Sequence, residues 1–396
     1  MKKVLKFKIL NLIIFISYLG FGQEFNSGTN QKDFYTEFRY EWINEKIIIP
    51  VEIEGQIYRF LLDTGAPNLI TTNLNKKITT NFKQTIPITD ANNKKDSLDL
   101  VTIPLIKISG ISYFNIPSLV SKTETNLIFD CFKIDGLIGS NLLRNSIIQI
   151  LPKEKLIKLT DDKKKLSLKR KNSTEIEFPD IQSTPYVRIE LNSNGIANDQ
   201  VYVDTGMSGF YTMANGHLEI FQKDDIFKID AETKGSQGTG LFGSENENTY
   251  YQLIVPKIEI NKAIFNEITV VTTSDNNSRI GSEILLYGNV TIDFLNKRFY
   301  YEPFENIVDL REKTFGFIPT IIDDKFVIGL VWADDLKDKI KFGDQILEIN
   351  GRSLLNSDFC DLITEKNIFK NNEKLDLILL QKDGEKKALI VNKNYR

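Results

Sequence analysis

The sequence has very few of the side chains on which several enzyme classes depend. Its 396 residues include one histidine, His217, and two cysteines, Cys131 and Cys360. It holds no CxxC pair and no HExxH motif, which excludes zinc sites built on the usual spacings. No nucleophile motif lies near His217, which argues against a Ser-His or Cys-His enzyme. We therefore predict no metal and no cofactor, and we expect His217 to lie on a surface loop.

The sequence also lacks a large excess of charge of either sign. Lys and Arg number 50, Asp and Glu number 53, and the net charge is −3. A broad basic surface for nucleic acid is therefore not expected. The hydrophobic fraction of 41% is too high for a disordered chain, and the 23 Gly and 11 Pro show no low-complexity enrichment. A chain of this length is expected to form about two or three domains.

Long hydrophobic runs are absent except for one at the N-terminus. Residues 1–22 have four lysines among the first eight residues, continue with the mostly apolar stretch Ile9 to Leu19, and end with Gly20 and Gly22 flanking Phe21. A stretch this short cannot cross the roughly 30 Å hydrocarbon core of a bilayer. Small residues before a cleavage point are typical of a secretory signal peptide. We predict cleavage after Gly22 and export to the periplasm or the medium, with no membrane span left; a retained N-terminal anchor is the alternative.

Cysteine usage gives a further expectation. Export permits disulfide bonds, but Cys131 and Cys360 are 229 positions apart. They fall in segments that we assign to different domains. We therefore expect two buried free thiols rather than a disulfide.

An internal repeat organises most of the chain. Residues 48–71 and residues 186–212 each contain an alternating strand, a polar turn with Gly, and a second strand that runs into Asp-Thr-Gly. These are β-hairpin patterns. The two motifs are Asp63-Thr64-Gly65 and Asp204-Thr205-Gly206.

A second pair of motifs follows at the same displacement. Residues 135–145 contain Ile138-Gly139-Ser140, and residues 278–288 contain Ile280-Gly281-Ser282, each followed by a further hairpin pattern. Two independent motifs shifted by nearly the same distance indicate a tandem duplication. Because strand patterns dominate both copies, we predict a mainly β fold with two pseudo-symmetric lobes.

The two Asp-Thr-Gly motifs point to acid–base chemistry. Hydrolysis of a peptide needs a base to activate water and an acid for the carbonyl oxygen or the leaving amine. Two adjacent carboxyls can share one proton and supply both functions. Aspartic proteases are the known example of such a shared proton. We therefore predict Asp63 and Asp204 as the catalytic pair.

The neighbouring residues fit a supporting role. The hydroxyls of Thr64 and Thr205 can bond across the local two-fold axis. The supporting glycines are Gly65 and Gly206 beside the carboxylates, and Gly139 and Gly281 in the Ile-Gly elements, where a missing Cβ allows close packing.

Residues 38–303 resemble the aspartic peptidases of the pepsin and retropepsin type, in their two-lobed single-chain form. The resemblance implies a water held between Asp63 and Asp204, no metal, and hairpin flaps over the substrate. By order along the chain we place the flaps at residues 91–94 and 235–238. Two residues depart from the family pattern: Met207 replaces a small residue after Asp-Thr-Gly, and Arg279 replaces an apolar residue before Ile-Gly.

The C-terminal segment carries a different motif. Residues 339–351 read KIKFGDQILEING and resemble the signature of PDZ domains attached to exported proteases. Such domains bind peptide termini by adding a strand to a sheet edge. The resemblance makes Phe315, Gly316, Phe317 and Ile318 candidates for receiving a peptide carboxylate. The alternative is a domain that merely packs on the peptidase.

These observations predict an exported aspartic endopeptidase that acts on polypeptides, with a small α+β PDZ-like domain that binds a peptide ligand. A monomer suffices for catalysis because one chain carries both motifs. One alternative is a catalytically inactive exported protein that captures extended peptides in the cleft and in the PDZ groove. Another is an enzyme inactive until processing removes a polar N-terminal segment.

The predicted divisions of the chain are a signal peptide at 1–22, a polar segment at 23–37, lobe 1 at 38–160, a charged linker or exposed hairpin at 161–180, lobe 2 at 181–303, a linker at 304–313 and the PDZ-like domain at 314–396.

Overall fold

A computed structural model describes residues 25–122, 126–355, 359–364 and 367–395, so the predicted signal peptide lies outside the described residues. The fold is mainly β, as the sequence predicted. Among the described residues no helix has both the length and the apolar character needed to cross a membrane.

The first lobe is a sheet of long antiparallel hairpins with short helices at its edge. In this lobe the sheet order is β1-β9-β6-β10-β5-β4-β8-β7, and β3 pairs with β4. The strands are β1 (Thr29–Asn30), β2 (Tyr35–Arg39), β3 (Glu41–Ile43), β4 (Lys46–Ile53), β5 (Gln56–Asp63), β6 (Leu69–Ile70), β7 (Asn81–Thr89), β8 (Lys95–Ile108), β9 (Ile111–Val120), β10 (Gly136–Gly139), β11 (Ile147–Leu151) and β12 (Leu156–Thr160). The helices are α1 (Thr72–Asn75), α2 (Leu127–Phe132) and α3 (Ser140–Leu143).

The second lobe repeats this arrangement. Its main sheet has the order β17-β20-β14-β15-β22-β16-β21-β25. The strands are β13 (Ser173–Glu175), β14 (Tyr186–Asn192), β15 (Ile196–Asp204), β16 (Tyr211–Ala214), β17 (Lys228–Gly235), β18 (Thr239–Gly240), β19 (Gly243–Ser244), β20 (Asn248–Ile260), β21 (Ala263–Thr273), β22 (Ser278–Gly281), β23 (Gly288–Asp293), β24 (Arg298–Pro303) and β25 (Ile307–Asp309). Helix α4 spans Asn215–Gln222, and short 3₁₀ helices span Lys163–Lys165, Arg170–Asn172 and Ser282–Leu286.

The duplication appears in the strand register. In lobe 1, β10 runs parallel to β5 with Gly139 opposite Asp63. In lobe 2, β22 runs parallel to β15 with Gly281 opposite Asp204. A third sheet joins the lobes, because β11 of lobe 1 pairs with β23 of lobe 2 and places Ile148 opposite Ile292. The equivalent pieces of both copies therefore meet at the centre of the molecule.

The C-terminal domain has its own small sheet and core. Its sheet order is β27-β28-β29-β31-β32, and β30 pairs with β29. The strands are β26 (Lys313–Thr314), β27 (Phe317–Ile322), β28 (Lys325–Val331), β29 (Gln345–Ile349), β30 (Arg352–Ser353), β31 (Lys374–Leu380), β32 (Lys386–Asn392) and β33 (Asn394–Tyr395). The helices are α5 (Asp334–Lys337), α6 (Cys360–Thr364) and α7 (Asn367–Lys370). Most of its buried side chains form a hydrophobic cluster separate from that of the lobes.

The expectation of two free thiols is wrong. Cys131 of α2 in lobe 1 forms a disulfide with Cys360 of α6 in the C-terminal domain. The two helices pack against each other, and the side chain of Asn44 donates a hydrogen bond to the carbonyl oxygen of Ile363 nearby. Separation along the sequence did not reveal this pairing because the C-terminal domain folds back onto lobe 1.

The expectation for His217 is also wrong. His217 lies on helix α4 rather than on a loop, and it is only partly exposed. Its Nδ1 lies 3.0 Å from the carboxylate of Asp199, which raises the pKa of the imidazole above 6.5. The hydroxyl of Tyr211 donates to the other oxygen of the same carboxylate. His217 therefore belongs to a structural cluster in lobe 2.

Candidate active site

Asp63 and Asp204 end the equivalent strands β5 and β15, and their carboxyl groups face each other. The two carboxyls are close enough to interact electrostatically, because the charge of Asp204 raises the pKa of Asp63. A Cβ on Gly65 would lie 2.6 Å from Cγ of Asp204, and a Cβ on Gly206 would lie 2.3 Å from Cγ of Asp63. Each glycine therefore provides the space that the opposite carboxyl occupies, and side chains at either position would push the pair apart.

Two threonines lock the paired loops together. The backbone N–H of Thr64 donates to Oγ1 of Thr205 over 3.1 Å, and that of Thr205 donates to Oγ1 of Thr64 over 3.1 Å. The hydroxyl of Thr64 donates to the carbonyl of Val203 over 2.5 Å, and that of Thr205 donates to the carbonyl of Leu62 over 2.8 Å. Both side chains are buried. The network fixes the separation of the two carboxyls.

The Ile-Gly elements lie directly behind these loops. A Cβ on Gly139 would lie 2.3 Å from the backbone of Pro67, and one on Gly281 would lie 2.3 Å from the carbonyl oxygen of Gly209. Both positions therefore need a residue without a side chain.

The two carboxyls have different surroundings. Asp63 accepts a hydrogen bond from the backbone N–H of Gly65, whereas Asp204 accepts from both Gly206 and Met207. Burial raises the pKa of Asp63 to about 7; the charge of Asp204 raises it as well, and Lys46 opposes the shift. A carboxyl with such a pKa retains its proton well above the usual range.

Two cations flank the pair, and they were not assigned a role from the sequence. Lys46 begins β4 and donates a hydrogen bond to the carbonyl oxygen of Gly206. Arg279 of β22 lies with Nη1 3.7 Å from Oδ2 of Asp204 and also binds Asp275. Arg279 was visible in the sequence as a departure from the family pattern, but no pattern marked Lys46 or Asp275.

A cavity of about 950 Å³ opens beside the pair. Its lobe 1 side is mostly apolar, and its lobe 2 side carries polar and charged groups. The apolar side includes Leu69, Ile86, Leu119, Phe129 and Leu137, and the polar side includes Gln182, Thr184, Tyr202, Asp275 and Arg279. Phe25, from the polar N-terminal segment predicted at 23–37, also borders this cavity, while β1 just beyond it pairs with β9 of lobe 1.

Hairpins from both lobes meet over the cavity. The turn at residues 90–94 joins β7 to β8, and residues 236–247 join β17 to β20. The backbone N–H of Phe242 in the second hairpin donates to Oδ2 of Asp90 in the first over 3.0 Å. Ala91 borders the cavity within the flap range predicted for lobe 1, whereas in lobe 2 Gly240 and Leu241 do so, just beyond the predicted range.

The lobe 2 hairpin also contacts the C-terminal domain. The backbone N–H of Ser236 donates to the carbonyl of Gly329 over 3.2 Å, and the hydroxyl of Ser244 donates to the carbonyl of Ile321 over 3.0 Å. Tyr250 of β20 packs in a buried cluster with Leu330 of β28. No sequence pattern predicted this contact.

The four residues proposed for peptide capture lie at the start of β27. Phe315 and Phe317 are 5% and 6% exposed and belong to the core of the C-terminal domain. The carbonyl of Gly316 accepts hydrogen bonds from Trp332 and Ala333. Ile318 packs against the cluster around Leu330. Neither phenylalanine side chain is therefore exposed for ligand contact.

Comparison with known protein families gives a match for the first lobe. Residues 49–142, which include Asp63 and the Gly139 element, match the family model described as aspartyl protease. The resemblance inferred from the sequence is thus confirmed for the first lobe. An aspartic proteinase from Irpex lacteus is similar in structure over 68% of this chain and 97% of its own, with 11% sequence identity and a TM-score of 0.43. No curated protein matches the chain in sequence.

Proposed function

We propose that the protein is an aspartic endopeptidase that hydrolyses peptide bonds in polypeptide substrates. The observation that carries the proposal is the juxtaposition of Asp63 and Asp204, each set against the glycine of the opposite loop beside an open cavity. Carboxyls that share a site can divide one proton between them, which provides a base and an acid at the same pH.

The reaction that fits this geometry uses a water molecule as the nucleophile. The ionised carboxyl takes a proton from the water as its oxygen attacks the substrate carbonyl carbon, and the protonated carboxyl gives its proton to the carbonyl oxygen. In the second step the first carboxyl passes its proton to the leaving nitrogen as the C–N bond breaks. A hydroxyl of the tetrahedral intermediate returns its proton to the second carboxyl, so the enzyme ends as it began.

The pH dependence follows from the pKa of Asp63. Since its pKa is raised to about 7, the pair keeps one proton up to that pH and loses it above. We expect hydrolysis to fall as pH rises through about 7, measured as kcat/KM of an internally quenched peptide library between pH 3 and pH 9. A rate that continues to rise above pH 8 would contradict the shared-proton mechanism.

The direct test replaces each acid in turn. We expect Asp63→Asn and Asp204→Asn each to lower kcat by at least about a hundredfold, because each removes one of the two proton-transfer groups. Asp338→Asn, at an exposed position of the C-terminal domain, is the matched control and should cleave at the rate of the parent protein. If both active-site variants cleave the library normally, the proposal is wrong.

We further propose that the protein works outside the cytoplasm. The disulfide between Cys131 and Cys360 supports this, because such bonds persist in oxidising compartments. N-terminal sequencing of protein recovered from the periplasm or the medium should begin at Gln23. Recovery of the intact leader in the cytoplasm would contradict export.

For the C-terminal domain we propose PDZ-type capture of peptide ends along β27, which is an edge strand of its sheet among the described residues. Strand addition at such an edge supplies main-chain hydrogen bonds. In an inactive Asp63→Asn/Asp204→Asn protein, labelled peptides with a free carboxylate should bind at least about tenfold more tightly than their amidated forms, measured by fluorescence anisotropy. Equal affinity for both forms would favour a domain that only packs on the peptidase.

A further inference from the structure

The two acids of the candidate site differ in one neighbour. Arg279 stands immediately before Ile280-Gly281 in lobe 2, and the equivalent residue in lobe 1 is Leu137, before Ile138-Gly139. Both residues border the same cavity. A cation therefore lies at the lobe 2 acid where the lobe 1 acid has an aliphatic side chain.

Arg279 is held firmly in this position. Its side chain is 11% exposed, and its guanidinium lies over the ring of Tyr202 at 5.1 Å from the centroid. One Nη donates to Asp275, and the other lies 3.7 Å from Oδ2 of Asp204. Asp275 is itself fixed, because it accepts hydrogen bonds from the backbone and side chain of Asn277. The positive charge therefore cannot move away from Asp204 without breaking several contacts.

The other charged and titratable groups at the pair do not cancel this asymmetry. Tyr202 stays neutral, because burial raises its pKa well above 10. Lys46 donates to the carbonyl oxygen of Gly206, and its charge lowers the pKa of Asp63. Burial and the charge of Asp204 outweigh Lys46, so the pKa of Asp63 is still raised. Asp204 also accepts one more backbone N–H than Asp63 does. Besides the pair itself, the charged and titratable groups that line the same cavity are Lys46, Asp90, Asp180, Tyr186, Tyr202, Asp275 and Arg279.

We propose that Arg279 is a positioning residue that assigns the shared proton to Asp63 and keeps Asp204 ionised. In the reaction described above, Asp204 is then the base that takes the proton from water, and Asp63 is the acid that protonates the carbonyl oxygen. The assignment rests on the proposed function. A nearby positive charge stabilises the ionised form of a carboxyl, and the raised pKa of Asp63 agrees with the assignment.

The test compares pH profiles of kcat/KM for one quenched peptide. Arg279→Leu gives lobe 2 the residue type of lobe 1, but it leaves Asp275 buried without its partner. The double variant Arg279→Leu/Asp275→Asn removes both charges and is the main test. We expect its acidic limb, which reports ionisation of Asp204, to move up by at least about one pH unit. Arg279→Lys keeps the charge and should restore the limb toward that of the parent protein.

A second measurement does not depend on activity. Carboxyl ¹³C signals of labelled protein, assigned with Asp63→Asn and Asp204→Asn, show which acid is ionised at about pH 5. We expect Asp204 to be ionised and Asp63 protonated. If a folded double variant keeps the acidic limb of the parent, or if the signals show Asp63 ionised first, the assignment is wrong. A parent protein that cleaves no peptide at any pH overturns the proposed function, and the carboxyl titration still decides where the proton lies.

Discussion

The two lobes share the parts that build the candidate site and differ in the parts that tune it. Both place an Asp opposite a Gly in a parallel strand pair, and their threonines make reciprocal hydrogen bonds. They differ just after the motif, where lobe 1 has Ala66 and lobe 2 has Met207. The duplication therefore preserves what holds two acids together, and the departures from symmetry give each acid its own environment.

The strongest test of the shared part is the glycine of each loop. Because an added Cβ would overlap the opposite carboxyl, we expect Gly65→Ala and Gly206→Ala each to lower kcat/KM by at least about 10³-fold, or about 4 kcal/mol. The measurement is peptide hydrolysis, with folding checked by circular dichroism. Gly216→Ala is the matched control, since an added Cβ there meets nothing within 4 Å. If either variant loses less than tenfold in kcat/KM, the glycine of that lobe is not needed for the close approach of the two carboxyls.

The next largest effect is expected for the disulfide, which joins lobe 1 to the C-terminal domain through Cys131. Among the described residues, lobe 2 contacts the C-terminal domain without a disulfide. We expect Cys360→Ser to lower the free energy of unfolding by about 3 kcal/mol, because the link closes a long loop. Urea unfolding measures this, and the parent protein under reducing conditions should match the variant. Unchanged stability would show that the non-covalent contacts alone hold the C-terminal domain on the lobes.

The threonine lock allows a direct comparison of the lobes. Thr64→Val and Thr205→Val each leave a buried backbone N–H of the opposite loop without its acceptor. We expect each to destabilise the protein by about 2 kcal/mol, and the two losses to be similar because the hydrogen bonds are reciprocal. Thr→Ser at either position keeps the hydroxyl and should recover most of the loss. Markedly unequal losses in thermal unfolding would show that the lock is not symmetric.

The smallest effect is expected at the residue that differs after the motif. Met207→Ala gives lobe 2 the small residue of lobe 1 and enlarges its side of the cavity, which Met207 borders. We expect KM for peptides with a bulky residue on that side to fall about threefold, or less than about 1 kcal/mol. Profiling of a peptide library measures the change. The reciprocal Ala66→Met should narrow the lobe 1 side, and unchanged selectivity in both variants would contradict this view of the cleft.

Much of the architecture could be read from local patterns. The hairpins that end in Asp63 and Asp204 are visible because alternating side chains and turn residues lie next to each other in the sequence. The partner element of each, at Gly139 and Gly281, was found through the repeat distance. Because the motif occurs in two copies, each copy is an independent instance of the same local structure. A signal that is weak in one copy becomes strong when both copies show it.

The remaining features depend on where distant segments meet. Lys46 is an ordinary strand residue in the sequence, and only the folded chain brings its ammonium group to the loop of Gly206. The hydrogen bond between Phe242 and Asp90 joins residues of different lobes. The link from Cys131 to Cys360 depends on the docking of a third domain. No local pattern encodes such contacts, because the sequence around each residue does not depend on its distant partner.

The covalent link has a consequence for the integrity of the chain. It turns residues 131–360 into a closed ring, which contains Asp204 and the charged segment at 161–180 but not Asp63. One nick anywhere in that ring opens it without releasing a fragment, so the molecule would migrate as one species on a non-reducing gel and as two after reduction. The chain can thus be cut once between Cys131 and Cys360, and Asp63 and Asp204 still remain in one covalently linked molecule.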